Sequence, residues 1–199
     1  MLFRSAYDMK GLLIGAVRLG RPVVCLEHRN LYAVPAEVPE APYALPFGKG
    51  RVVREGRHVT IVAVSQMVLE AEKAAETLAA EGVEAEVIDP RCLAPLDEAL
   101  IFSSVRKTGA LVACDTSWAS CGFSAEVLAR VAERCHGALK APPARIALPP
   151  IPTPSSPVLE AAFYPNAVTI VETVRRILKR APDAPVPVVS NERSQRESW

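Results

Sequence analysis

The sequence predicts a three-layer α/β/α domain with a mostly parallel sheet, preceded by the remnant of a second α/β domain. Three observations predict it. From residue 58 onward, short β-branched apolar runs alternate with stretches of helical period, in the order strand, helix, strand, helix, strand, helix, strand. Such alternation implies parallel strands joined by right-handed crossovers, with helices on both faces of the sheet. Most of the eighteen prolines gather at 35–46, 142–157 and 182–187, so they mark connectors and leave the periodic segments clear. Finally, 199 residues with 50% hydrophobic side chains suit one sizeable core with extensions, since soluble domains cluster at roughly 100 to 200 residues.

Each element has its own signal. HVTIVAV (58–64) is the first strand of the domain and runs straight into SQMVLEAEKAAETLAAEG (65–82). There Met67, Ala71, Ala74, Ala75 and Leu78 share one helical face, Ser65 is placed to cap the start, and Gly82 ends the helix. The series Glu70, Glu72, Lys73, Glu76 and Glu81 reads as a solvated face. VEAEVID (83–89) is the next strand. DEALIFSSVRKTG (97–109) is a shorter helix with acid at its start and Arg106, Lys107 and Gly109 at its end, as the helix dipole and C-terminal capping favour. ALVACD (110–115) is a third strand, FSAEVLARVAERCHGAL (123–139) an amphipathic helix, and ARIALP (144–149) a fourth strand. After the proline-rich IPTPSSPVLEAAFYP, Asn166 caps a closing helix over 166–181.

The first fifty residues differ. AYDMKGLLIGAVRLG reads as a helix and PVVCLEH (22–28) as a buried strand, yet no nearby strand pattern offers the latter a partner. RNLYAVPAEVPEAPYALPFGKG is then a linker kept extended by its prolines. The division that follows is 1–48, remnant and linker; 49–182, the α/β domain; 183–199, a polar tail.

Composition narrows the function. A formal net charge of +1 argues against a polyanion as main partner, so no nucleic acid is expected. No apolar run reaches the roughly 18 residues that suggest a membrane span, and the start lacks a signal-peptide pattern, so a cytoplasmic protein is expected. The five cysteines form no C-x-x-C pair and read as reduced, mostly buried thiols; the three histidines are too scattered for a sequence-local metal site.

Several blocks carry a family resemblance: YDMKGLL (7–13), PVVCLEHRNLY (22–32), PFGKGRVVREGRHVTIVAVSQMV (46–68), EVIDPRCLAPLDE (86–98), KTGALVACD (107–115), GFSAEV (122–127), APPARIALPPIPTPSSPVLE (141–160) and YPNAVTIVETVR (164–175). Collinear over nearly the whole chain, they resemble the C-terminal, transketolase-like region of the beta subunits of thiamine-diphosphate-dependent 2-oxoacid and acetoin dehydrogenases. The run GALKAPPARIALPPIPTPSSPVLE resembles the acetoin branch most.

The resemblance implies a transketolase C-terminal fold and a role in assembling the alpha/beta heterotetramer and docking it on the dihydrolipoyl acyltransferase core. It implies thiamine diphosphate and magnesium in the full enzyme, with none bound by this chain alone. The glutamate that engages the aminopyrimidine ring in the family lies upstream of anything matched here, and no G-D-G motif for the diphosphate is present. The chain by itself is therefore expected to be inactive. A free-standing interaction module that keeps the fold without the activity is the alternative; a flavodoxin-like ligand binder rests on fold analogy alone. The apolar faces of the first thirty residues predict a homo-oligomer, at least a dimer.

No catalytic, cofactor-binding or metal-binding residue is assigned. Partner docking falls to Trp118 and Asp115, in CDTSWASCGF (114–123), where many relatives carry an acidic or His-Glu pair and a glycine-rich turn. Trp118 reads two ways, as an exposed anchor for a partner or as cover for the domain's own core. At the corner EVIDPRCLAPLDE, Pro90 and Pro95 fix the bend and Asp97 caps the next helix; a catalytic carboxylate at Asp89 or Asp97 is the sharper alternative. Glu27-His28 is a titratable pair at a strand end. Ser65 offers a weak anion site. Cys135-His136 point apart on a helix, and Cys114 and Cys121 could approach across their loop.

Overall fold

The computed structural model describes residues 1 and 3–179. The α/β domain is built on a five-stranded sheet of order β1-β3-β2-β4-β5, with β1 at Arg51–Arg54, β2 at Val59–Ala63, β3 at Ala85–Asp89, β4 at Leu111–Trp118 and β5 at Ala144–Leu148. Strands β2 to β5 are parallel, and β1 alone runs antiparallel, against β3. Two facing layers bury β2 on both sides, which is why its sequence is apolar apart from Thr60. Val59, Ile61 and Ala63 point to α2 (Gln66–Ala80) and α6 (Ala167–Ile177), while Val62 joins α3 (Glu98–Thr108) and α4 (Phe123–Cys135) on the other face. The predicted three-layer architecture is the one observed.

Most predicted boundaries hold to within a few residues. Asp97 caps α3 by accepting from the Leu100 N–H at 3.4 Å, and Gly109 ends it in the left-handed conformation. Asn166 and Thr169 form a reciprocal capping box at α6. A buried hydroxyl group on β2, Thr60 Oγ1, lies 2.7 Å from Ser104 and 2.8 Å from Thr108, both on α3.

Four expectations are corrected. PVVCLEH forms no sheet strand: only Leu26 makes an isolated bridge, donating to the Met1 carbonyl at 3.0 Å, and Val24 is 73% exposed. Beside the bonds of Leu26 and Val24 to Met1, no neighbouring strand among the described residues completes a sheet with it. β1 was not predicted; its arginine-flanked, half-buried RVVR has the short, charged character of an edge strand and little periodicity. A further helix, α5 (Pro157–Phe163), lies inside the proline-rich connector, with Pro157 in its first turn, where a missing N–H costs nothing. Ser65 stands before α2 but makes no capping bond, because φ 56° and ψ −129° turn its side chain inward, where Oγ finds no partner.

The α2 acids also depart from a solvated face. Glu70 accepts from the Ala167 N–H at 2.9 Å and so anchors α6, Glu72 pairs with Arg4, and Glu81 holds Arg175 through two bonds. Among the described residues no helix is long and apolar enough to cross a membrane. The tail 183–199 lies outside the described residues.

The first region has a small core of its own. α1 (Ala6–Arg18) buries Leu12, which clusters with Met1, Phe3 and Cys92, the last of these supplied by the corner after β3. The expected extended linker instead folds back on α1. Tyr43 stacks on Tyr7 at 4.7 Å and Leu45 N–H bonds the Gly11 carbonyl at 2.9 Å. A Cβ on Gly11 would come within 2.6 Å of Leu45, so the close approach requires glycine.

Candidate partner-docking site

β4 runs past its parallel partner β2 and carries Trp118 out at the carboxyl edge of the sheet, the edge where open α/β sheets present their functional loops. Trp118 is 57% exposed, so it does not serve as cover for the domain's own core. The loop behind it is held rigidly. Asp115 accepts from the Ser117 N–H at 3.1 Å and from the Ser124 N–H at 2.5 Å, tying the strand end to the first turn of α4. Ala119 N–H bonds the Leu148 carbonyl at 2.9 Å, and Arg145 donates to the Ala119 carbonyl at 2.7 Å. A Cβ on Gly122 would fall 2.3 Å from the Trp118 carbonyl oxygen.

Asp115 is 2% exposed, and both its oxygens accept from backbone amides of the loop and of α4, so its carboxylate braces the loop that carries Trp118 and is not presented at the surface. Cys114 and Cys121 do not pair: Cys114 is buried, with its thiol pushed up mainly by that burial, and Cys121 is exposed. A buried thiol so hard to ionise is unreactive. Cys135 lies in the core while His136 is exposed, as adjacent helical residues should.

The corner after β3 joins the two regions. Asp97 accepts from the Gly50 N–H at 3.1 Å in addition to capping α3, and Gly48 packs on Pro95. Asp89 is 1% exposed and accepts from the Arg91 N–H at 2.9 Å. Burial pushes its carboxyl up to about 6. Arg91, in the left-handed region at φ 57°, reaches the fully buried Asp8 of α1 at 2.7 Å. These contacts make the corner a joint, and the Asp89 and Asp97 carboxylates are buried in it. Asp8 and Arg91 were missed because nothing in their separation along the chain signals the contact.

Glu27 and His28 line a cleft of about 330 Å³ with Phe3, Met9, Leu31 and Tyr32. Glu27 accepts from the Tyr32 hydroxyl, and burial lowers His28 below the usual imidazole value, which favours the neutral ring. The pair is thus brought together with mostly apolar side chains and with Arg4 and Ser5. Ser65, turned inward, does not offer its hydroxyl to an anion.

The donor set for a metal-bound diphosphate is not formed by these residues. Among the described residues no three His, Cys, Asp or Glu side chains converge as a cation site. Of the buried carboxylates, Asp8, Glu86, Asp97 and Asp115 are committed to guanidinium, ammonium or backbone N–H groups, while Asp89 keeps one oxygen without a partner.

Residues 48–170 match the family described as transketolase, C-terminal domain. The chain is similar to the acetoin:2,6-dichlorophenolindophenol oxidoreductase subunit beta of Cupriavidus necator, at 45% identity over 175 residues, covering 88% of this chain and 52% of the relative. It is also similar to the pyruvate dehydrogenase E1 component subunit beta of Bacillus subtilis, at 41% identity over 176 residues, covering 88% and 54%. The chain spans about half the length of the curated relatives it matches. Among solved structures, one titled split gene transketolase, inactive beta4 tetramer aligns with a TM-score of 0.61 and 31% identity, over 71% of this chain and 47% of that one. With the family match extending through the sheet and into α6, the chain belongs to the transketolase C-terminal domain family.

Proposed function

We propose that this chain is the C-terminal portion of a 2-oxoacid or acetoin dehydrogenase beta subunit and serves subunit assembly, without catalysing a reaction alone. The observation that carries the assembly role is Trp118, an exposed aromatic on a loop pinned from β4, β5 and α4. A large side chain that is already ordered loses little entropy on docking, which suits it to anchor an interface. The partners in this reading are the alpha subunit and the dihydrolipoyl acyltransferase core. Thiamine diphosphate and magnesium belong to the assembled enzyme, since the residues here do not supply their donors.

The reading divides the chain at 48/49 and 182/183, and makes it a homo-oligomer in the absence of its partner. Val17, Val24, Leu26 and Tyr32 are exposed on the first region, and the solved relative named above is titled as a four-copy assembly of a beta chain. The alternative, a free-standing interaction module of the same fold, shares the Trp118 surface and differs only in needing no alpha subunit.

Titration calorimetry separates the two. Thiamine diphosphate with magnesium gives no heat with the chain alone and binds once a matching alpha subunit is added. No binding in either case overturns the dehydrogenase reading. Light scattering of the chain alone shows a species of at least two copies; a strict monomer at high concentration removes the oligomer from the proposal.

A further inference from the structure

Five charged side chains meet where the first region closes on the corner. Asp8 of α1 is fully buried and pairs with Arg91. Arg4, just ahead of α1, pairs with Glu72 of α2. Asp89, at the end of β3, has one oxygen on the Arg91 backbone N–H, while its second oxygen is buried without a partner. The three carboxylates Asp8, Glu72 and Asp89 therefore share the two guanidiniums Arg4 and Arg91, and Asp89 is the acid left without an ion pair. The Nε atoms of both arginines are likewise buried and unpartnered, since each guanidinium is turned to another acid. A surplus charge inside a protein is costly, and a proton is the smallest addition that removes it.

We propose that closure of residues 1–48 onto the corner takes up one proton at Asp89, which makes this joint a latch that is tighter in mildly acidic than in alkaline solution. The groups facing Asp89 are Asp8 from α1, Arg4 from the segment before it and Arg91 from the corner itself, with Glu72 of α2 behind Arg4. Burial is the largest influence raising the Asp89 carboxyl to about 6, and Asp8 adds to it. An acid that holds its proton more tightly in the closed form favours closure at low pH, and that advantage is lost as pH rises through the closed-state value. Taking about 3.9 for an open, solvated Asp, the closed-to-open ratio is about tenfold larger at pH 5 than at pH 7.5. The sheet domain need not unfold for the latch to open, because its two apolar clusters contain no residue of 1–48.

Hydrogen exchange by mass spectrometry on the full chain tests this, with rates corrected for the intrinsic pH dependence of exchange. The amides of α1 are expected to be about tenfold better protected at pH 5 than at pH 7.5. Asp89→Asn keeps the acceptor for the Arg91 N–H and fixes the site uncharged, so the pH effect on α1 disappears. Glu72→Gln, at a more exposed position, balances two acids against two guanidiniums and shrinks the effect to less than about threefold; it serves even where Asp89→Asn fails to fold. Equal protection of wild-type α1 at the two pH values overturns the latch. So does a full tenfold effect that survives in either variant.

Discussion

The sheet domain and the first 48 residues are held together by different means. The domain buries complete strands between helices on two faces, with β2 and β3 buried along their whole length. The first region has one helix, a strap of linker and a small cluster that borrows Cys92 from the corner. Beyond that it is attached by the ion pairs Asp8–Arg91 and Arg4–Glu72, the packing of Gly48 on Pro95 and an exposed Asn30–Gln66 hydrogen bond. Apolar burial is spread over many residues and tolerates single losses in proportion to size, whereas a buried ion pair fails at once when one partner goes. The domain is accordingly expected to be thermodynamically robust and the first region to be conditional on a few charges.

Substitution at Arg91 should break this contrast most sharply. Arg91→Ala leaves Asp8 buried and unpaired, and costs about 3–5 kcal/mol at the joint. Limited proteolysis is expected to cut between α1 and β1 while a fragment beginning near residue 49 survives; loss of both regions together would show that they fold as one unit. Leu78→Ala, in the main core, is expected to cost about 3 kcal/mol and to move the denaturation midpoint of the whole domain. Asn166→Ala removes the capping box of α6 for about 1 kcal/mol, read from the same denaturation curve. Trp118→Ala sharpens the comparison from the other side. Its effect on stability is within about 0.5 kcal/mol, as for a surface position, yet binding to the alpha subunit weakens by at least about tenfold in calorimetry if Trp118 is an anchor.

Legibility in the sequence followed the same division. Where a segment's environment is set by its own periodicity, the reading was accurate: Met67, Ala71, Ala74, Ala75 and Leu78 all lie in the core. Caps were legible when the side chain had a free amide in reach, as at Asp97 and Asn166. Ser65 failed because its backbone leaves the extended region, a tertiary effect that local composition does not report. PVVCLEH has the composition of a buried strand, but a strand is a property of a pair, and no neighbour among the described residues completes a sheet with it. Of the candidate site, the exposure of Trp118 remained undecided from sequence, since an aromatic beside a strand suits either a core or an interface. The clamp around Arg91 was invisible because its members come from α1, α2 and the corner, brought together only by the fold.

The three hydroxyls of Thr60, Ser104 and Thr108 also bear on how motion passes through the molecule. Ser104 and Thr108 are one helical turn apart and grip the same atom on β2, so α3 cannot slide along the sheet by a turn without stranding polar atoms in an apolar layer. The trio works as a detent. Because Asp97 caps α3, the detent also fixes the far end of the corner, and a displacement of the first region passed on through Arg91 or Cys92 is absorbed in the few residues between Asp89 and Asp97 instead of being transmitted into α3.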